Sequence, residues 1–510
     1  MLTHIYSAKC IGIDAVLVTV EIEIDRGIGI HLVGLADAAV KESLLRTITA
    51  LESLGYRIPG KKIIINLAPA DLRKNGSGYD LPIALGIIAA SEQADLTDIG
   101  SYLIMGELGL DGSVRTVPGS LPVTEYASSC GFRGVILPRD SAREAVDIQG
   151  IRIYGVSNLQ EAVRIIKTGN AEDLLMRPLN EEDRNESGDD TLIDFADIIG
   201  QESAKRGVEI AAAGGHNIIL IGAPGSGKSS LAKAVAGILP PMTLKESLVT
   251  SKIYSIAGKN PGGSGLIRQR PFRSPHYSAS IAAIIGGGNG DNIMPGEISL
   301  ACNGVLFLDE AGQISKSTLE SLRGPLEDRK VTISRLKSRV EFPASFMLVA
   351  ASNPCPCGYY GEGDRCNCTP TQRERYLSRL SGPMMDRIDL HVWMHTVPAG
   401  RIVNARKSES SRVIAERVIK ARRLQQARFS GEAISTNAEM SNRHIEKYCP
   451  LSPECTQTME KILGSMQLSM RAYFRIIKVA RTIADIEGAE EISPAHIMEA
   501  ASFRVLDKQL

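Results

Sequence analysis

The chain has 510 residues with 58 basic and 58 acidic side chains, so any nucleic-acid site has to be a local patch on a neutral molecule. The length suggests roughly three domains, each able to bury its own core. No opening apolar run looks like a signal peptide and nowhere do about eighteen apolar residues follow one another, so a cytoplasmic chain without a membrane span is expected.

Residues 1–170 alternate β-rich runs such as VLVTVEIEI and KKIIINLAP with helical ones such as DAAVKESLLRTITALESLG, the pattern of an α/β domain with no nucleotide loop. Within it, GELGLDGSVRTVPGSLPVTEYASSCGFRGVILP (Gly106 to Pro138) and KNGSGYDLPIALGIIAA resemble the Lon-type protease domain. Laid against that pattern, Gly78 falls where the family's nucleophilic serine stands and Pro122 where its lysine base stands. Ser77 comes one place early and has no lysine to activate it. The resemblance implies a Lon-like fold without the catalytic dyad, kept for binding or assembly, or purely as structure. Residues 171–192 then read as an acidic solvated linker: Ala171 to Thr191 holds eight carboxylates against two arginines.

An ATPase core is expected over 193–398. The apolar run Ile218 to Ile221 reads as a buried strand, and Gly222-Ala223-Pro224-Gly225-Ser226-Gly227-Lys228-Ser229-Ser230 follows as a P-loop opening an alanine-rich helix. Glycines let backbone amides wrap phosphate, Lys228 offers a cation to the β- and γ-phosphates, and the Ser229 hydroxyl suits Mg²⁺. Ile198, Ile199 and Gly200 read either as a segment that holds the base, as in AAA+ proteins, or as ordinary helix-entry packing. His276 reads as a hydrogen-bonding loop anchor. VLFLDEAG ends a buried strand in two carboxylates, Asp309 for Mg²⁺ and Glu310 for the attacking water.

RKVTISRLKSRVEFPASFMLVAASNP reads as a hairpin turning at Leu336-Lys337-Ser338, then an apolar strand ending at Asn353, which resembles the sensor position of AAA+ ATPases and by that resemblance would orient the water. Arg335, Lys337 and Arg339 on the hairpin are suited to DNA phosphate, or to water alone. Nine cysteines do not suggest a disulfide scaffold, and Cys355, Cys357, Cys366 and Cys368 form two C-x-C pairs within fourteen residues. Four thiolates fit a structural Zn²⁺ that folds a loop too small for a core, with reduced free thiols as the alternative. Beyond residue 399 the chain reads as a helical lid to 510. Arg401 to Arg428 carries nine basic and two acidic residues, a solvated face or a nucleic-acid track. Ser493 reads as the N-cap and Pro494 as the first turn of a final helix.

RPFRSPHYSAS, together with the order of these motifs, resembles the magnesium-chelatase ATPase group and its YifB/ComM relatives, over almost the whole chain. The resemblance implies an AAA+ core in which Arg387, with Arg379 as second choice, reaches the γ-phosphate of a neighbouring subunit, and Arg471 contacts nucleotide in cis. It further implies ATP and Mg²⁺ as ligands, a homo-hexamer, and single-stranded or branched DNA as partner, with branch migration as the work done. A magnesium-chelatase-type motor subunit and a protein-remodelling ATPase are the alternatives.

Overall fold

The computed structural model describes the chain except for residues 1, 36, 75, 170, 179–192, 260–264, 289–292, 335–338, 381, 399–407, 467 and 505–510. Arg335, Lys337, Arg401, Arg406 and Lys407 therefore lie outside the described residues.

The first unit is built on a seven-stranded mixed sheet. Its strands are β1 (Leu2–Ile11), β2 (Asp14–Asp25), β3 (Gly29–Val33), β4 (Lys62–Ala68), β5 (Tyr102–Ile104), β6 (Gly134–Pro138) and β7 (Arg152–Val156), in the order β3-β4-β2-β1-β5-β6-β7. β1 pairs antiparallel with β2 over its whole length, Leu2 opposite Glu23 and Ile11 opposite Asp14. Helices α1 (Ala38–Ser53), α2 (Asp80–Ala90), α3 (Ser120–Ser129) and α4 (Leu159–Thr168) cover it. Ten of the eleven α2 residues are buried, because this helix fills the middle of the unit and has no solvent side. The acidic stretch after α4 starts later than expected. Ala171 and Leu174 are buried, and the Met176 amide donates to the Ile153 carbonyl, so packing against the sheet continues to Met176.

The second unit holds a five-stranded parallel sheet of β8 (Ile218–Gly222), β9 (Phe272–Arg273), β10 (Val305–Leu308), β13 (Met347–Ser352) and β14 (Leu390–Met394), in the order β9-β10-β13-β8-β14. Between β10 and β13 the strands β11 (Lys330–Ser334) and β12 (Arg339–Pro343) form the expected hairpin. The four apolar residues of β8 are buried because helices lie on both faces, as a parallel sheet requires. These include α5 (Glu202–Gly214), α6 (Lys228–Ala234), α7 (Leu244–Ile256) and α8 (Pro370–Leu377). Five further helices, α9 (Ser411–Arg428), α10 (Asn442–Tyr448), α11 (Pro453–Met466), α12 (Met470–Glu487) and α13 (Pro494–Ser502), pack on the α5 side of the same core. Ser493 caps α13 with Pro494 in its first turn, as the sequence suggests.

Several contacts tie the units together, among them the Ser255 hydroxyl donating to Glu144 and the Gly119 amide donating to the Ser255 carbonyl. Lys252 on α7 pairs with Asp14 at 3.1 Å and Glu125 at 2.6 Å. Gly12, in the turn between β1 and β2, lies so close to β12 that a Cβ there would stand 2.7 Å from the Glu341 carbonyl. No described helix is long and apolar enough to cross a membrane.

Candidate functional site

The site begins where β8 ends. Gly222 is forced by close approach, since a Cβ there would meet the Met394 carbonyl oxygen of β14 at 2.3 Å. The chain then turns through Ala223 to Gly227 and enters α6 at Lys228. The Lys228 ammonium donates to the carbonyls of Gly222 (2.7 Å) and Ala223 (2.9 Å) and to Asn353 Oδ1 (3.3 Å). Burial pulls its pKa below the ordinary lysine value, while Asp309 and Glu310 oppose that shift. Ser229 Oγ donates to Asp309 Oδ2 at 2.9 Å, across from the end of β10. The buried Ser226 hydroxyl makes no hydrogen bond among the described residues.

Glu310 takes a left-handed backbone, φ 49°, that L side chains rarely adopt, and its side chain is exposed beside Asp309. Five groups from three stretches of chain, the outermost 125 residues apart, thus stand at the carboxyl edge of the sheet: Lys228, Ser229, Asp309, Glu310 and Asn353. A cation on carbonyls, a hydroxyl on a carboxylate and a hydroxyl without a partner form a donor set that phosphate and a divalent cation would satisfy.

Gln201, which no sequence motif singles out, bridges this loop to the exit of β14, its amide donating to the carbonyls of Ser226 (3.2 Å) and His395 (2.6 Å). The segment before it packs through Ile198, which is buried, while Ile199 is exposed. His276 Nδ1 pairs with Ser278 Oγ at 2.7 Å, a local anchor as expected.

Arg387 and Arg471 lie elsewhere. Asp389 and Leu390 donate to the Asn217 carbonyl, which places residues 386–389 at the amino edge of the sheet, about 16 Å of strand away from the P-loop. Arg387 is buried and paired with Glu327 at 2.6 Å. Arg471, expected to touch nucleotide in cis, instead pairs with Asp386 at 3.0 Å at that same amino edge. The correction has a physical cause. α12 is anchored there by Arg475 on Asp389 and by Thr482 on His216, so its first turn points away from its own P-loop. Burial would raise the Asp389 carboxyl, but Arg475, His216 and Lys478 outweigh it and hold the group far below the carboxylate range.

The basic run on α9 is largely spent on the fold. Arg417 pairs with Glu209 and Glu409, Arg422 donates to the Ala212 carbonyl, and Arg428 pairs with Asp485. Burial pushes the Arg422 guanidinium down to about 10. On the hairpin, Arg339 is 71% exposed and lies 3.3 Å from Glu341.

The four cysteines converge. Sγ to Sγ distances are 3.3 Å for Cys355 to Cys357, 3.8 Å for Cys355 to Cys366 and 3.6 Å for Cys357 to Cys366, and all four sulfurs lie within 4.8 Å of one another. Tetrahedral Zn²⁺ with Zn–S near 2.3 Å needs S to S separations of about 3.8 Å. In the first unit, Ser77 donates to Glu107, and Gly78 lines a cavity of about 660 Å³ with Cys10, Met105 and Val117, walled on its other side by Arg339 of the second unit.

Strand order, P-loop and acidic strand end define a P-loop ATPase core of the AAA+ type, carried beside a Lon-like α/β unit and followed by helices. The family model "Magnesium chelatase, subunit ChlI" matches residues 194–402, "Subunit ChlI of Mg-chelatase" residues 20–141, and "Magnesium chelatase, subunit ChlI C-terminal" residues 408–504. The chain is 42% identical to the protein YifB of Salmonella typhimurium and 41% identical to the competence protein ComM of Haemophilus influenzae. Each of these alignments covers 100% of this chain and 98% of the relative. It is also 36% identical over 113 residues to an archaeal Lon protease of Halobacterium salinarum, covering 22% of this chain and 16% of that protein. The chain belongs to the YifB/ComM family of magnesium-chelatase-like proteins.

Proposed function

We propose that this protein is a cytoplasmic, ATP-hydrolysing homo-hexameric motor that moves DNA, driving branch migration during recombination or natural transformation. The observation that carries the reading is the separation of two half-sites. Lys228, Ser229, Asp309, Glu310 and Asn353 stand at the carboxyl edge of the sheet, while Arg387 and Arg471 stand at the amino edge. An arginine that cannot reach its own phosphate can serve only a neighbour's, and a head-to-tail contact of that kind closes into a ring. The competence protein of 41% identity supports the DNA substrate, as does the exposed Arg339 on the hairpin.

In this reading the P-loop residues Gly222 to Ser230 cradle the triphosphate. Ser229 and Asp309 would hold Mg²⁺, which supplies charge neutralisation at the β- and γ-phosphates. Glu310 takes a proton from water as its oxygen bonds to the γ-phosphorus and the bond to the β,γ-bridging oxygen breaks, releasing ADP and phosphate. Asn353 sets the water. Arg387 and Arg471 of each copy answer to the site next door, which requires their pairs with Glu327 and Asp386 to open as the ring closes. Cys355, Cys357, Cys366 and Cys368 hold a structural Zn²⁺.

The test is the ATPase rate of the full chain with no DNA, with single-stranded DNA and with a four-way junction. Stimulation by DNA with salt-sensitive binding is expected. No stimulation and no salt-sensitive binding would remove the DNA motor and leave a chelatase-type or protein-remodelling ATPase.

A further inference from the structure

The cysteine loop is wired into the nucleotide site. Asn353, whose carboxamide receives the Lys228 ammonium, stands two residues before Cys355, the one fully buried cysteine of the four. Gly358 lies between the two C-x-C pairs with φ +87°, and a Cβ on it would stand 2.8 Å from Pro224 Cδ and 3.8 Å from Asn353 Cγ. The loop backbone therefore rests directly on the P-loop proline. On its far side, Tyr360 meets the Trp393 ring edge-on at 6.3 Å, a Cβ on Gly361 would lie 3.3 Å from the same indole, and Glu362 accepts from the Thr396 amide at 2.9 Å. Trp393 belongs to β14, the strand paired with the P-loop strand.

The segment thus touches the water-orienting residue, the phosphate loop and the neighbouring strand at once. Only Cys355, Gly358 and Pro354 are buried between 354 and 368, so the loop has no core of its own to hold that shape. Four thiolates around one ion would supply the missing constraint.

We propose that Zn²⁺ bound by Cys355, Cys357, Cys366 and Cys368 is a positioning device for hydrolysis, closing the loop so that Gly358 presses on Pro224 and Asn353 stays beside Lys228. The inference rests on the ATPase and zinc readings above and adds the coupling between them. Its consequence is a split in the kinetics. Lys228 keeps its bonds to the Gly222 and Ala223 carbonyls without the cysteine loop, so nucleotide is still gripped, whereas Asn353 acts on the water. Removing the ion lowers kcat and leaves KM nearly unchanged.

The experiment uses the full chain. Zinc is quantified by elemental analysis and stripped with a chelator that is then removed. Mg²⁺ is restored, and kcat, KM, binding of a fluorescent ATP analogue and far-UV circular dichroism are compared before and after re-adding Zn²⁺ or Co²⁺. About one zinc per chain is expected, with kcat falling about tenfold or more on stripping, as misplacement by about 1 Å can do, and returning with either metal. Gly358→Ala keeps every thiol and tests the contact even if the stripped protein unfolds: zinc stays at about one per chain while kcat falls by a similar factor.

An unchanged kcat in Gly358→Ala, or in stripped protein of native dichroism, overturns the coupling and leaves the ion a simple staple. Purified protein without zinc overturns the metal. Hydrolysis that survives Lys228→Ala overturns the ATPase reading instead, whatever the zinc content.

Discussion

Two glycine-rich turns in this chain carry a strand into a helix, one from β4 to α2 and one from β8 to α6, and each parks a lysine on carbonyls at the end of its strand. Lys74 donates to the Pro69 carbonyl, and Lys228 donates to those of Gly222 and Ala223. Burial lowers the pKa of both. The difference lies around the ammonium. Lys74 is sealed at 0% exposure, while Lys228 is half-buried with Asn353 beside it and Ser229 and Asp309 next in the turn.

Gly78 shows what the first turn lacks. A Cβ there would meet nothing nearer than Met105 at 3.5 Å, so room for a serine remains although the serine is absent. The comparison teaches that backbone bonds and burial hold such a loop in shape, and that chemistry can leave it without disturbing the fold.

The largest effect expected is at the second loop. Lys228→Ala should lower turnover by about a hundredfold or more with the dichroism spectrum intact. Glu310→Gln should lower it by roughly 10² to 10⁴ while ATP still binds, measured by steady-state hydrolysis beside nucleotide titration. Wild-type rates in either would erase the contrast between the two lysines. Arg387→Ala should cost roughly 10³ or more. Mixing it with Lys228→Ala should restore part of the activity, because each copy supplies what the other lacks. Mixtures no better than the sum of their parts would refute the shared site.

At the first loop the effects should fall on stability. Lys74→Met strands the Pro69 carbonyl and should cost about 1–3 kcal/mol in denaturant unfolding, with turnover per folded molecule unchanged. Burial also raises the Asp80 carboxyl to about 6, against the Leu108 amide and Arg46. Its contribution to stability is fully present below about pH 4 and is lost as pH rises through 6, on the order of 2 kcal/mol. Asp80→Asn should flatten that slope in thermal melts across pH 4–7. The smallest effect is expected from Gly78→Ser, which fits the space yet lacks a lysine at position 122, so no peptide hydrolysis should appear. Cleavage of casein by that variant would contradict the inert reading.

The places of the P-loop, the acidic strand end and Asn353 at the strand exits were legible because each is a local pattern bound to one strand. Asp309 and Ser229 meet across eighty residues as the motif spacing implies. The cysteine quartet was legible from spacing too, but its seat on Pro224 was not, since only the folded loop brings Gly358 there. Arg471 misled for the same reason. Its position on α12 fits the lid pattern, yet the helix is pinned by Asp389 and His216, partners far off in the sequence. The basic run on α9 looked like a surface track because Glu209 and Asp485, which neutralise part of it, lie 208 and 57 residues away.

Lys252, clasped between Asp14 and Glu125, and the turn at Gly12, seated on the back of the hairpin, also bear on how this chain should be cut for experiments. An excised ATPase fragment would expose a bare ammonium on α7 and unseat β12. Its behaviour would describe a damaged hairpin more than an intact ATPase core. The Lon-like unit is here the bracket on which the hairpin is mounted.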